Sequence, residues 1–575
     1  MELFSVMRMN RKKQNSRSYG TLFITLVFCI PVLIQSGCVK EYSNQPLANQ
    51  VPQTFFWIFS DTAVAEGISK QELRWWGEDQ DGYIVGYLLS LTPDLSTLPV
   101  PDTLTYSFVT TMDSIISFPL RKARQTFLVS VHAIDNTLKY SIPIGASIKL
   151  NPFIYWDKDK SGNYNGGDVQ LPDLVSSIDL AGAKQQFPIV NTPPTMSYVL
   201  DDADNSVNAF PSPTTYTVAG FAWKGHDFDG DETIFTYRLS LNDSTFTQPM
   251  VIHSSITVIT LSVPRGRSDS SLTGIVYADV LIGRSPNARK IGSLSGLKLD
   301  ANNVLYIQAI DIAGDNSKFL PFPSAGQTWY VKKPTGKMLI VVDYAATDRV
   351  PVRQYYIDSV FSRTGVPYDI LDIRTGATAT RYGALVPAKQ NLNPVLIYTF
   401  RLYQCVYWYT DGTPSLDIAR NTLYNYWSME GGHLIFSSYF VNPGDIPDAG
   451  HAYRDIAPID SLGSSSLVPT RFSGTLNPDS SLALDIYPLL GFRGLATGLC
   501  IFPMYRNAAA RDIYFLPNSI DYPRTSAGVI DESNRVIFFN LPLHKLYSVD
   551  PKDKFGNSQG VVAFFQKAFQ AFGIQ

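Results

Sequence analysis

The chain holds 575 residues with 47 Lys and Arg against 50 Asp and Glu, a formal net charge of −3, so no basic field marks it for nucleic acid or another polyanion. Apolar residues at 45% and charged residues at 17% exclude a disordered chain. They fit several folded domains, since one hydrophobic core seldom serves so long a sequence.

At the N-terminus, Arg8, Arg11, Lys12, Lys13 and Arg17 precede an apolar run over residues 21–34. That run is shorter than the roughly 20 residues a membrane-spanning helix needs, so a secretion signal is the first reading and an uncleaved membrane helix the second. It ends in Gln35-Ser36-Gly37-Cys38, which resembles the lipobox of bacterial lipoproteins, with Gln35 where that family prefers Leu. The resemblance implies that residues 1–37 are a signal peptide and that Cys38 becomes the lipidated first residue. Residues 38–51 would then form a tether. It further implies export and a lipid anchor in the bacterial cell envelope, at the outer membrane, each buried CH₂ of an acyl chain contributing about 0.8 kcal/mol.

Two stretches share one spelling. Trp75, Gly77, Asp79, Asp81 and Gly82 return as Trp223, Gly225, Asp227, Asp229 and Gly230, and the tyrosine-led runs at 87–91 and 237–241 follow each. Downstream, the strand-like runs ending at Asp135 and Asp311 also correspond. Such extended self-similarity indicates two copies of one unit, the second enlarged around residues 265–298. Alternation of Phe127, Val129, Val131 and Ala133 with Leu128, Ser130 and His132 has the period of a strand with one buried face. Two antiparallel β-sandwiches are therefore expected at 52–150 and 192–335. The early Trp, the following Tyr and the late Ala-Ile-Asp strand make them resemble fibronectin type III or immunoglobulin-like modules. Because the acids recur with Glu78 exchanged for His226, Asp79, Asp81, Asp227 and Asp229 are assigned first to strand-connecting turns.

Residues 151–191 read as a linker between the copies. Within it, Asp157, Asp159, Ser161, Asn163, Asn165 and Asp168, with Gly162 at the sixth position, have the spacing of a calcium loop, which needs oxygens at alternating positions and a sharp turn in the middle. The terminal Asp168 in place of Glu resembles dockerin-type loops. The same residues also suit a solvated turn, and calcium is the one cofactor the sequence suggests.

From residue 336 to 575 the pattern becomes α/β. Runs at 338–343, 368–373, 394–400 and 433–438 read as buried strands, and residues 350–365 and 415–430 as helices, which together predict a parallel sheet covered on both faces. The opening Leu-Ile-Val-Val-Asp-Tyr run, the Glu430-Gly431-Gly432 entry into a strand and the run at 534–542 resemble the flavodoxin-like domain of class I glutamine amidotransferases. The nucleophile motif of that family, a cysteine or serine on a sharp strand-to-helix turn, is missing. Cys405 and Cys500 sit in other settings, as a disulfide or as two buried thiols. A Cys-His pair using His433, His451 or His544 would have to meet in space. Asp343 and Asp411 lie where open sheets bind ligands, so they are the candidate ligand pocket, with capping and turn formation as the alternative. No glycine-rich phosphate loop follows the first strand, so no nucleotide cofactor is indicated. The aromatic cluster Tyr403, Tyr407, Trp408 and Tyr409 reads as core.

The fold class expected is multidomain: two antiparallel β-sandwiches, then an α/β flavodoxin-like domain with a parallel sheet. The function expected is a non-catalytic, lipid-anchored envelope binding or scaffold protein whose partner is a glycan or another envelope protein. The alternative is an envelope hydrolase acting on glycans or amides through the C-terminal domain.

Overall fold

A computed structural model describes residues 48–57, 70–93, 104–122, 124–199, 212–283, 288–375, 380–381, 392–410, 415, 419, 422–438, 453–462, 470–471, 474–481, 487–492, 500–501, 504–516, 526–553 and 557–574. Cys38, Asp411 and His451 lie outside the described residues.

The first unit packs a sheet of Gln53–Trp57, Lys70–Glu78 and Asp113–Ser117 against a larger one. The larger sheet runs, in spatial order, Ala183–Ile189, Gln125–Asp135, Ile84–Pro93, Thr105–Val109, Ser147–Lys149, Tyr155–Trp156 and Val169–Gln170. All pairings are antiparallel. Phe127, Val129, Val131 and Ala133 meet Leu73, Trp75 and Ile116 between the sheets, as alternation along a strand requires.

Two expectations fail here. Residues 151–191 are not a linker: they supply strands on both edges of the larger sheet, and Leu171, Leu174 and Ile178 cover its second face over Leu88, Ile134 and Ile148. Consequently the Gln125–Asp135 strand is buried on both faces, with Ser130 and His132 each 1% exposed. The polar spelling of the intervening loop hid a covering layer.

The second unit repeats the plan. Thr195–Tyr198, Val218–His226 and Val258–Ser262 form a sheet that Ile275–Ile282 and Arg289–Lys298 extend. It faces Met250–His253, Ile234–Leu241, Leu305–Asp311 and Leu320–Phe322. Phe221, Trp223, Tyr237, Leu239, Ile307 and Trp329 fill the space between. The enlargement expected around 265–298 is thus a short helix, Arg265–Asp269, and a hairpin added to one sheet edge.

In the C-terminal unit five strands run parallel in the order Tyr368–Asp372, Met338–Asp343, Cys405–Thr410, His433–Ser437, Val536–Phe539. The second strand in sequence therefore lies outside the first, and the order reverses between Met338–Asp343 and Cys405–Thr410, the kind of point at which open sheets admit ligands. The sheet is not parallel throughout, as had been expected. Ser526–Asp531, Ala510–Phe515 and Gly474–Pro478 continue it antiparallel. The helix Gln559–Ala571 packs Phe564, Phe565 and Phe569 on one face, and Leu392–Phe400 covers the other with Val395, Leu396 and Phe400.

The apolar run at 394–400, read as a strand, is thus a helix, and the strand is the aromatic run Cys405–Thr410, buried at every position. Short runs apolar on all sides carry no period by which the two can be told apart. Tyr216 of the second sandwich docks onto this unit: its hydroxyl donates to Ile370 O at 2.9 Å and accepts from Ile370 N at 3.0 Å. Among the described residues no helix is long and apolar enough to cross a membrane.

Candidate functional site

The repeated acids build a joint at the entry of each sandwich. Asp79 Oδ1 accepts the Asp81 N–H at 3.3 Å and Asp227 Oδ1 that of Asp229 at 2.9 Å, turns that carry the chain from one sheet to the other. Gly230, at φ +114°, occupies backbone space closed to side chains. At Gly82 a Cβ would lie 2.4 Å from Asp79 Oδ2. The second acid of each pair then holds the segment preceding the first strand: Asp81 accepts the Gln50 N–H and Asp229 the Thr192 N–H, the latter at 2.7 Å. Asn49 donates to Asp135 at 2.9 Å and Asn191 to Asp311 at 2.8 Å. Every acid of the motif thus has a place in a duplicated staple. Asn49 and Asn191 escaped the sequence reading because a lone Asn before a strand has no signature.

The loop at residues 157–168 closes a hairpin between Tyr155–Trp156 and Val169–Gln170. Asp157, Asp159 and Asp168 bring carboxylate oxygens within 4.8 Å of one another. Asp157 is 1% exposed and accepts the N–H groups of Ser161 and Gly162 at 3.1 and 2.8 Å. Asp159 accepts Ser161 N–H and Asn165 Nδ2, and Asp168 accepts Lys158 N–H and Asn165 N–H. The Ser161 hydroxyl donates to Asn163 O at 3.0 Å, and Gly162 has φ +84° at the middle of the loop. The Ser161 side chain close to Asp159, then the Ser161 N–H and the Asn165 amide, hold the Asp159 carboxyl down at about 2. The three converging carboxylates fit the oxygen-only preference of calcium, while the Asn165 amide gives its Nδ2 to Asp159 and its Oδ1 accepts the Gly167 N–H.

Asp343 ends its strand fully buried, and four donors surround it. Arg374 Nε lies at 2.7 Å and Ser415 Oγ at 2.8 Å from Oδ1, while Ser415 N–H at 2.7 Å and Trp408 Nε1 at 3.1 Å meet Oδ2. Burial pushes this carboxyl up while Arg374 and Ser415 pull it back. It is a satisfied internal node that ties three segments together.

Beside it the bonding is incomplete. Among the described residues, the hydroxyls of Tyr355, Tyr356 and Tyr409 and Nε2 of His544 are buried without a hydrogen-bond partner. The Tyr356 and Tyr409 rings lie 4.7 Å apart, and His544 stands edge-on to Tyr344 at 5.5 Å. Burial pushes the phenols up and holds the His544 imidazole down at about 4. Arg349 pairs with Asp372 at the same end of the sheet, and Arg353 lies 3.5 Å from that carboxylate.

Cys405 and His433 are register neighbours at the opposite, amino end. The Cys405 thiol is free, wholly buried, and pushed far up by desolvation, whereas a nucleophilic thiol needs its acidity raised. His433 stacks on Phe572 at 4.7 Å and bonds Gln404 O at 3.2 Å. The disulfide alternative for Cys405 therefore falls, and this Cys-His pair has the setting of core. Tyr403, Tyr407, Trp408 and Tyr409 are buried as well.

No family model matches the chain and no curated protein matches it. Many solved structures align with it, among them two of fibronectin-type modules. The fibronectin(III)-like modules of CbhA from Clostridium thermocellum share 10% identity at a TM-score of 0.16, over 49% of this chain and 95% of that one. The FN1-FN3 domains of chicken CNTN1 share 10% identity at a TM-score of 0.16, over 50% of this chain and 69% of that one. The assignment of sandwiches rests on the strand pairing above.

Proposed function

We propose that the chain is a lipid-anchored protein of the bacterial cell envelope, placed at the outer membrane through Cys38, that binds or scaffolds a glycan or another envelope protein without catalysis. In this reading the sandwiches are fibronectin type III or immunoglobulin-like modules that hold a flavodoxin-like, amidotransferase-like domain away from the membrane. The observation that carries it is the state of the acids and thiol that would do chemistry. Asp343 is consumed by four internal donors and Cys405 is sealed in the core, while the repeated acids staple chain segments. Groups spent on structure are poor catalysts, because a reacting group must reach its substrate.

Calcium is proposed for the loop at 157–168, through Asp157, Asp159, Ser161, Asn163, Asn165 and Asp168. When bound it would neutralise three carboxylates and stiffen the hairpin. One observation favours the second reading, an envelope hydrolase of glycans or amides: toward the carboxyl end of the parallel sheet, polar atoms of Tyr356, Tyr409 and His544 have no hydrogen-bond partner among the described residues. The anchor is tested by expressing the full chain in a Gram-negative host fed an alkyne fatty acid. Labelling of the wild type, lost in Cys38→Ala together with membrane association, is the expected result; equal membrane association without label refutes the anchor.

A further inference from the structure

The outer face of the first sandwich carries aromatic rings that its core does not use. Along Gln53–Trp57, Thr54 points inward, so Phe55 and Trp57 share the opposite face. Register sets Phe55 against Trp76 and Trp57 against Arg74, which in turn faces Asp113. The Phe55 and Trp76 rings stack at 5.2 Å and 19°, and Trp57 is 59% exposed. Beside them opens a cleft of about 640 Å³ lined by Trp57, Arg74, Trp76, Thr110, Met112 and Asp113, within the range of small-ligand sites. Trp75 forms its floor, fixed by its indole N–H on Thr111 O at 3.1 Å and its backbone N–H on Met112 O at 2.9 Å.

We infer that this cleft is a carbohydrate-binding site for a neutral pyranose chain, with Trp57 and Trp76 as stacking platforms and Asp113 as an acceptor for sugar hydroxyls. The inference deepens the binding role proposed above and rests on it. A pyranose presents an apolar C–H face and an equatorial rim of hydroxyls, which matches a flat aromatic surface edged by carboxylates and threonines. The donors point the same way. The Trp76 indole N–H lies 3.4 Å from Glu78, and Arg74 gives Nε and Nη2 to Glu72 at 3.2 and 2.8 Å. A proline-rich peptide offers its groove carbonyl acceptors on a solvated backbone, and would ask for the donors that these residues have already committed. Acidic glycans would meet Glu72, Glu78 and Asp113 and be repelled.

The test is a tryptophan-fluorescence titration of the full chain with cellohexaose and with chitohexaose, together with a ten-residue polyproline peptide. Trp57→Ala, Trp76→Ala and the control Phe235→Ala, which alters an exposed ring of the second sandwich, are compared with the wild type after circular dichroism and melting verify their folding. The expected result is saturable binding of at least one hexaose, weakened 10-fold or more in both tryptophan variants and unchanged in Phe235→Ala. Absence of binding to either hexaose, equal binding by the tryptophan variants, or a preference for polyproline overturns the inference. Reducing ends are counted in the same samples. Their release would contradict the non-catalytic reading whatever the cleft does, and a silent cleft without release would leave that reading standing.

Discussion

Asp343 and His544 stand within one unit and respond oppositely to burial. Asp343 has a guanidinium, an indole N–H, a hydroxyl and a backbone N–H to satisfy it, and a buried charge survives only with such partners. His544 Nε2 has none among the described residues, and burial keeps the ring neutral, at about 4 in place of its ordinary 6.5. Because the folded value lies below the unfolded one, the unfolded chain takes up the proton first as pH falls. The stability held by neutral His544 is complete above pH 6.5 and lost toward pH 4, on the order of 3 kcal/mol in all. His132 and His433 are lowered by burial too, so His544→Phe should remove part of the acid sensitivity. Urea unfolding at pH 7 and pH 4.5 measures it: the variant should lose roughly 2 kcal/mol less than the wild type between the two. An identical loss would show that the ring is solvated in the folded protein. Nothing in the sequence hints at this contrast, since Asp343 ends a strand and His544 follows one in similar apolar company; only the partners brought from Arg374, Trp408 and Ser415 separate them.

Among the elements, period was the legible signal and its absence the main source of error. The Trp-x-Gly-x-Asp-x-Asp-Gly phrase marks the same sheet-to-sheet turn twice, because an Asx turn followed by glycine has fixed chemical needs. By contrast, residues 394–400 and 405–410 are apolar throughout, and which becomes helix and which strand is decided by tertiary packing. Residues 151–191 were opaque for another reason: Leu171, Leu174 and Ile178 are spaced among polar turn residues, yet together they shield a sheet face. The loop at 157–168 was visible in the spacing of its acids, and the structure gathers Asp157, Asp159 and Asp168 as that spacing implies. Its flanks are two-residue strands, not helices. Titration calorimetry with calcium should give a saturable heat and a rise in the melting temperature at millimolar calcium, both abolished by Asp159→Asn. No heat and no shift would assign the loop to turn chemistry alone.

At the scale of the whole molecule, the parts are joined by specific polar contacts. Lys122 lies 3.4 Å from Asp315 across the two sandwiches. Tyr216 bridges Ile370, and Arg265 donates to Gly336 O at 2.6 Å, so the second sandwich and the parallel sheet share a seam. An array joined in this way suits the proposed display of binding surfaces at a distance from the proposed anchor. Asp343 is held by four internal donors and the Cys405 thiol is sealed in the core, which supports the proposed binding role, while the polar atoms of Tyr356, Tyr409 and His544, without a hydrogen-bond partner among the described residues, favour the alternative. The most direct measurement is product release by the purified full chain incubated with intact peptidoglycan sacculi, beside its His544→Phe and Cys405→Ala variants. The account predicts no soluble sugar or peptide above a protein-free control for any of the three; release by the wild type that either variant loses would contradict it.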